Sequence, residues 1–184
     1  MMGILPAKPF IVDERDMSPE LDAAIRRSLC LCFSADAGVF SYTRKWHGSG
    51  PSYSAVIRNG EEVMAHVGVV DRRVSFGASA VRAAGIQNVL VLPQYRGQHL
   101  SDMVMQAAQE EAARRGFDCG LLFCVPQLVD LYARTGWLAF SNDVVRVDDD
   151  GVEKPIPGKN VGMFLPLHLR QMPPGLLHLG GNDW

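Results

Sequence analysis

The chain has 184 residues, 47% of them hydrophobic and 21% charged, and its 20 acidic and 18 basic side chains give a formal net charge of -2. This composition is typical of a globular protein, and the length predicts a single domain over residues 1–184. A nearly balanced charge excludes the basic surface of a general nucleic-acid binder. No apolar run reaches the roughly 18–20 residues that cross a bilayer, and charges follow the N-terminal apolar stretch too soon for a signal peptide. We therefore expect a cytoplasmic protein with neither a nucleic-acid nor a membrane partner.

The four cysteines lie at positions 30, 32, 119 and 124. A domain held together by disulfides is normally shorter and richer in cysteine. Zinc sites favour Cys-x-x-Cys pairs or nearby histidines, and Cys30-Leu31-Cys32 does not have that spacing. We predict free, buried thiols and no metal ion.

The first half of the chain predicts a strand, a helix and a hairpin. Ser18 followed by Pro19 is typical of a helix start, and Asn59-Gly60 between two apolar runs is a strong hairpin signal. The nearly all-apolar end of the third long strand is typical of a central strand covered on both faces. The predicted elements are strands over 9–13, 53–58, 63–74 and 81–92, a helix over 19–33 and a short helix within 34–50.

The second half predicts a long helix, a buried strand and further strands. Apolar residues from Leu100 to Ala112 recur at helical spacing, and Arg115-Gly116 is a good helix end. The predicted elements are a helix from about 98 to 115, strands over 118–124, 137–147 and 161–169, a short helix over 126–134, an exposed excursion over 148–158 and a Pro/Gly-rich tail. Together they define one α/β domain with a mixed sheet.

The most informative segment runs from a strand through Gln94-Tyr95-Arg96-Gly97-Gln98-His99 into a helix. A glycine beside a helix N-terminus lets backbone N–H groups converge on an anion, and the helix dipole adds attraction. Arg96 supplies a fixed positive charge at the same place. The Walker sequence and the three-glycine dinucleotide fingerprint are both absent. The turn therefore suits a pyrophosphate, although an ordinary turn is an alternative interpretation.

A second motif, Leu131-Tyr132-Ala133-Arg134-Thr135-Gly136-Trp137, places a tyrosine on a short helix before a glycine turn. In this order and separation the two motifs resemble the GNAT superfamily of acyl-CoA-dependent N-acetyltransferases. His99, the Tyr132 motif, the Asp148-Asp149-Asp150-Gly151 turn and the final Gly-x-x-Trp are similar to the aminoglycoside 2'-N-acetyltransferases. The resemblance implies a mixed, mostly antiparallel sheet with a splayed central strand pair, flanked by helices.

The resemblance also implies where acetyl-CoA binds. The cofactor would lie between the strands that end near Leu92 and begin near Asp118. The backbone groups of one strand would pair with the pantetheine arm, and the N–H groups of the following turn would hold the pyrophosphate. The implied cofactor residues are Val89, Leu90 and Val91 on the strand, and Arg96, Gly97, Gln98, His99, Leu100 and Ser101 in the turn. The valines can serve as core residues at the same time, because their side chains pack while their backbone binds.

By the same resemblance, the acceptor amine attacks the thioester and Tyr132 protonates the leaving sulfur. The alternative is that Tyr132 only packs at the end of a helix and has no catalytic role. The branch's basic carboxylate corresponds here to Gln87, and a neutral amide cannot be a general base. Candidate replacements are the carboxylate of Trp184, Asp183, Asp36, His66 and His47. The implied acceptor residues are Asp36, Gln87, Asn182, Asp183 and Trp184.

The leading hypothesis is therefore acetyl-CoA-dependent N-acetylation of an aminoglycoside antibiotic, giving resistance. Because Gln87 replaces a carboxylate, a smaller amino-sugar antibiotic such as kasugamycin is a possible acceptor. The alternatives are a GNAT enzyme acting on another small amine or a protein N-terminus, and a non-catalytic acyl-CoA-binding module. A homodimer is the expected assembly.

Overall fold

The computed structural model describes residues 8–158 and 160–184. The helices are α1 (Pro19–Cys32), α2 (Ala37–Phe40), α3 (Leu100–Arg114) and α4 (Val129–Ala133). The strands are β1 (Phe10–Asp13), β2 (Tyr53–Asn59), β3 (Glu62–Phe76), β4 (Ser79–Val91), β5 (Cys119–Cys124), β6 (Leu138–Phe140), β7 (Val144–Val147), β8 (Glu153–Pro155), β9 (Val161–Pro166) and β10 (Leu177–His178).

Local sequence signals define the main elements. The Ser18 hydroxyl accepts a hydrogen bond from the Leu21 N–H at 3.2 Å, and Pro19 occupies the first position of α1. Gly60 takes a positive φ of 59° at the turn between β2 and β3, as the hairpin signal predicts. The apolar stripe of α3 packs on β2, β3 and β4, and α1 packs on the opposite face of the sheet. The predicted positions of β1 to β5, α1 and α3 are confirmed to within a few residues.

The ten strands form one mixed, mostly antiparallel sheet. Strands β1 to β4 pair in antiparallel fashion, β4 and β5 pair in parallel, and β9 lies antiparallel between β5 and β6. At the far end of β3, β10 pairs with β3 and also with β7, which in turn pairs with β8. This is the fold class that the sequence predicted.

The sheet is split at its centre. Strands β4 and β5 pair through Ala83, Ala84 and Gly85 against residues 119–121, and the paired register stops there. The remainder of β4 continues to Val91 and that of β5 to Cys124, so two strand segments diverge from a common base. The opening between them holds the candidate site.

The prediction of one strand over 137–147 was wrong. β6 ends at Phe140 and β7 begins at Val144, so the chain leaves β9 and joins β10 instead. The Asn142 side chain accounts for the break, because its amide donates to the carbonyls of Pro173 and Gly175 at 2.9 and 2.7 Å. These carbonyls belong to the segment before β10, which the sequence predicts to be part of a Pro/Gly-rich tail.

Three smaller expectations also need correction. The excursion over 148–158 contains β8, and the last predicted strand ends at Pro166, because proline has no N–H to continue a ladder. All four cysteines are free thiols; Cys119 and Cys124 are buried, but Cys30 and Cys32 are only half-buried.

In residues 8–158 and 160–184, no helix has the length and apolar character required to cross a membrane.

Candidate active site

Two cavities meet in the opening between β4 and β5. One, of about 560 Å³, lies toward the start of α3. The other, of about 370 Å³, lies toward Trp46 and Trp184. Phe33, Val89, Leu128 and Tyr132 line both, so they stand at the junction. After the roles that the resemblance implies, we call the first the donor cavity and the second the acceptor cavity.

The turn predicted to hold pyrophosphate forms one wall of the donor cavity. Gly97 has a φ of 78° and His99 a φ of 58°, both in the left-handed region that turns the chain sharply into α3. The N–H groups in the first turn of an α-helix have no intrahelical acceptor, so they are available to an anion. The predicted cofactor residues lining this cavity are Val89, Leu90, Val91, Arg96, Gly97, His99, Leu100 and Ser101. Gln98 is exposed in the same turn but does not line the cavity, and its contact with the cofactor stays a prediction.

A carboxylate at this helix start is neutralised by its neighbours. Asp102 accepts hydrogen bonds from Arg134 at 2.9 Å and pairs with the His99 ring at 3.1 Å. Burial raises the pKa of Asp102, but the bonds from Arg134 and His99 outweigh it and hold the pKa below its ordinary value. Because Arg134 offsets the charge of Asp102, the helix start remains suited to an anion. Sequence reasoning did not assign Arg134 to this cavity, although it lies two residues after Tyr132.

A bulge in β4 shapes the wall between the cavities. The register with β3 shifts between His66 and Gly68, and Asn88 adopts a φ of 54°. The Asn88 amide donates to the Arg44 carbonyl at 2.7 Å, and the Asn88 carbonyl pairs with His66 Nδ1 at 2.9 Å. The bulge is therefore held from both sides.

The His66 ring is a structural group. It is fully buried, and its Nε2 atom lies 3.1 Å from the Ser54 hydroxyl. Burial lowers the pKa of His66 to about 4, so the ring is neutral at pH 7. The neutral tautomer that donates from Nδ1 to Asn88 accepts from Ser54 at Nε2. Because both ring nitrogens are engaged away from the cavities, the candidacy of His66 as general base is not supported.

Tyr132 lies on α4 at the junction of the cavities and is 7% exposed. Burial raises the pKa of its hydroxyl above the ordinary tyrosine value. The phenol is therefore protonated at neutral pH and is available as a proton donor. This placement suits a general acid acting on a group at the junction.

The acceptor cavity has aromatic walls and little charge. Among the described residues, Asp36 is the only one that lines it with a carboxylate side chain, and no cationic side chain lines it. The polar lining residues besides Asp36 are Gln87, Asn88 and Asn160. Sequence reasoning did not assign the aromatic lining residues Phe33, Phe40, Trp46 and Phe123. No motif in the sequence distinguishes them from ordinary core residues.

The last residues form a wall of the acceptor cavity. The Trp184 indole is 5% exposed, donates weakly to the Leu121 carbonyl at 3.4 Å and lies 5.8 Å from the Phe123 ring, measured between centroids. Of the predicted acceptor residues, Asp36, Gln87 and Trp184 line the cavity.

Asn182 and Asp183 lie behind this wall. The Asp183 carboxylate pairs with His47 at 2.8 Å and with Arg146 at 3.2 Å, and Asn182 accepts from Arg146 at 2.5 Å. These contacts engage both side chains, as well as His47, within the fold. The roles predicted for them toward an acceptor therefore have no support from their positions.

Fold and site together define the class: a split-sheet α/β protein with an anion-binding turn at the helix start and a buried tyrosine where two cavities join. A family model described as an acetyltransferase (GNAT) domain matches residues 20–139, more than half of the chain. The chain therefore belongs to the GNAT acetyltransferases. The expectations of an N-acetyltransferase and of acetyl-CoA as its cosubstrate are confirmed by this family membership and by GNAT neighbours solved with acetyl-CoA or CoA.

Individual relatives agree with this assignment. An aminoglycoside 2'-N-acetyltransferase from Mycolicibacterium fortuitum is 28% identical over 160 residues, covering 86% of this chain and 79% of that protein. The GNAT family N-acetyltransferase YhbS from Escherichia coli, solved in complex with CoA, has a TM-score of 0.65 at 18% identity over 96% of this chain and 92% of its own. A GCN5-related N-acetyltransferase from Kribbella flavida has a TM-score of 0.55 at 20% identity; the match covers 72% of this chain but only 33% of that one.

Proposed function

We propose that this protein transfers the acetyl group of acetyl-CoA to an amino group of an aminoglycoside-class antibiotic, and that this modification gives resistance. The observation that carries the proposal is the meeting of a donor cavity and an acceptor cavity at Val89 and Tyr132. The 28% identity to an aminoglycoside 2'-N-acetyltransferase supports this acceptor class and the 2'-amine as the site of transfer.

In this proposal the donor cavity takes the coenzyme. The turn from Arg96 to Ser101 receives the pyrophosphate, and Val89 to Val91 present backbone groups to the pantetheine arm. The acceptor amine attacks the thioester carbonyl carbon, forming the N–C bond as the C–S bond breaks. Tyr132 donates its proton to the leaving sulfur, the acceptor nitrogen loses a proton to solvent, and solvent returns a proton to Tyr132.

The shape of the acceptor cavity supports a small amino sugar. Its volume is about 370 Å³, and the aromatic side chains of Trp46 and Trp184 give it apolar walls against which a sugar ring can pack. Asp36 can attract a cationic acceptor, but a single carboxylate side chain does not favour a drug with many amines. Kasugamycin fits this description better than the 4,6-linked or 4,5-linked aminoglycosides. The catalytic role predicted for the Trp184 carboxylate remains a prediction.

The experiment is an assay of CoA thiol release from acetyl-CoA with kasugamycin, tobramycin and neomycin as separate acceptors. We expect turnover with kasugamycin, and NMR of the product locates the acetyl group on the 2'-amine. Spermidine, amino acids and a peptide with a free N-terminus test the other acceptor classes in the same assay. Turnover with one of these alone, or no thiol release with any antibiotic, would refute the aminoglycoside proposal.

A further inference from the structure

The side chain of Gln87 is an unusual polar group for so buried a position. It is 4% exposed and lines the acceptor cavity. Its Oε1 atom is buried and has no hydrogen-bond partner among the described residues. Buried polar atoms in folded proteins are almost always paired, so an unpaired one calls for a specific explanation.

The orientation of the amide follows from its other contact. Gln87 Nε2 donates to the Ser49 carbonyl at 3.1 Å. The reversed amide would place its oxygen against that carbonyl oxygen, and two acceptors repel each other. The amide nitrogen therefore faces Ser49, and Oε1 is left as the free group.

Ser49 itself is held firmly. Its N–H donates to the Trp46 carbonyl at 2.8 Å, and its hydroxyl donates to the Asp183 carbonyl at 3.1 Å. The Arg72 guanidinium donates to the same hydroxyl at 2.9 Å and to the Asn182 carbonyl at 3.0 Å. The anchor of the Gln87 amide is thus tied to the turn before β2 and to the last residues, which fixes the amide before any acceptor arrives.

We propose that Gln87 is a specificity-determining residue, whose Oε1 accepts a hydrogen bond from the reacting amine of the acceptor. This inference rests on the proposed function and concerns the same site. A neutral carbonyl positions an N–H group without taking its proton. It does not offer the charge attraction that a carboxylate gives to a polycationic drug, so it favours an acceptor with few amines.

The test compares Gln87→Met and Gln87→Glu with the wild-type chain, using kasugamycin as acceptor. Methionine keeps the length of the side chain and removes the amide. We expect Gln87→Met to raise the KM for kasugamycin about tenfold, as the loss of one hydrogen bond predicts, with the KM for acetyl-CoA unchanged. An unchanged KM for kasugamycin would overturn the inference. An equal rise in the KM for kasugamycin and the KM for acetyl-CoA would also overturn it, because it indicates a general structural defect.

The Gln87→Glu variant adds a readout that a structural role would not move. A carboxylate beside the amine can take its proton, so a protonated acceptor can also react. We therefore expect the decline of kcat/KM on the acid side of the pH profile to occur at a lower pH than in the wild type. An unchanged pH profile places the side chain away from the reacting amine and counts against the inference. The pH profile of Gln87→Glu still tests the inference if Gln87→Met does not fold. A wild-type chain that acetylates no aminoglycoside refutes the proposed function itself. An active wild type whose Gln87 variants keep the same kasugamycin KM and the same pH profile refutes only the role of Gln87.

Discussion

The indole of Trp184 lies against the backbone of Gly85, the last residue of β4 that pairs with β5. A Cβ atom at position 85 would come within 2.4 Å of the indole atom Cε2. The absence of a side chain at Gly85 thus allows a large aromatic ring to lie directly on the sheet where it splits.

Gly85→Ala should therefore displace Trp184 and disturb the acceptor cavity. Forcing a methyl group into this contact should lower the free energy of unfolding by about 1–3 kcal/mol and raise the acceptor KM. Urea unfolding and acceptor kinetics measure the two effects. Gly38→Ala is the matched control, because a Cβ there meets nothing within 4 Å and the residue lies in helix α2. Equal stability of the two variants would contradict the packing argument.

Tyr132→Phe tests the proton donor. Removing the hydroxyl should lower kcat about 10²–10⁴-fold, the usual contribution of a general acid, while the affinity for acetyl-CoA changes little. Since burial raises the Tyr132 pKa, the wild-type rate should not fall through loss of this proton at mildly alkaline pH. Tyr42→Phe, at a side chain that is 88% exposed, is the control. A Tyr132→Phe enzyme as fast as the control would remove the assignment.

His66 should make the fold sensitive to mild acid. Its pKa lies at about 4 in the folded chain against an ordinary value of 6.5. Between these values the unfolded chain binds a proton that the folded chain does not, so the free energy of unfolding falls as the pH drops from 6.5 toward 4. The full difference between the two limits is on the order of 3 kcal/mol.

Urea unfolding of the wild type and of His66→Gln at several pH values between 7 and 4.5 measures this effect. The variant has no titrating ring, so its stability should depend less on pH over this range, even if it is lower at pH 7. Parallel curves for the two proteins would mean that another group is responsible.

Gly97→Ala probes the turn before α3. Space is available for the methyl group, because a Cβ there meets nothing within 4 Å, but the φ of 78° is costly for an L-residue. The strain should weaken CoA binding several-fold, corresponding to about 1 kcal/mol. Calorimetric titration with CoA gives the affinity. The control is Gly158→Ala, at a glycine with open space and no positive φ, which should bind CoA like the wild type. If Gly97→Ala also bound CoA as tightly as the wild type, the turn would not need the left-handed conformation at Gly97.

Features encoded locally could be predicted from the sequence. The cap at Ser18, the Asn59-Gly60 hairpin and the turn around Gly97 each depend on neighbouring residues, and all three lie where they were expected. The pairing of two separate motifs also led to the family, whereas the role of Tyr132 as a proton donor remains a prediction.

Features that depend on distant contacts could not be predicted. The break between β6 and β7 depends on Asn142 reaching carbonyls more than 30 positions away. Asp183 looked like a free carboxylate near a tail, yet Arg146 and His47 engage it. The burial and neutral state of His66 likewise follow from β3 lying between β2 and β4. That residues 1–184 form one domain remains a prediction.

The short register between β4 and β5 has a mechanical consequence. Only three residue pairs join these strands, and beyond them each presents an unpaired backbone edge. A pantetheine arm hydrogen-bonded along β4 would occupy this unpaired edge and stabilise the open half of the sheet for as long as CoA is bound. Amide protons of residues 86–91 should therefore exchange with deuterium more slowly once CoA is added, so that the coenzyme stiffens the scaffold that carries out the transfer.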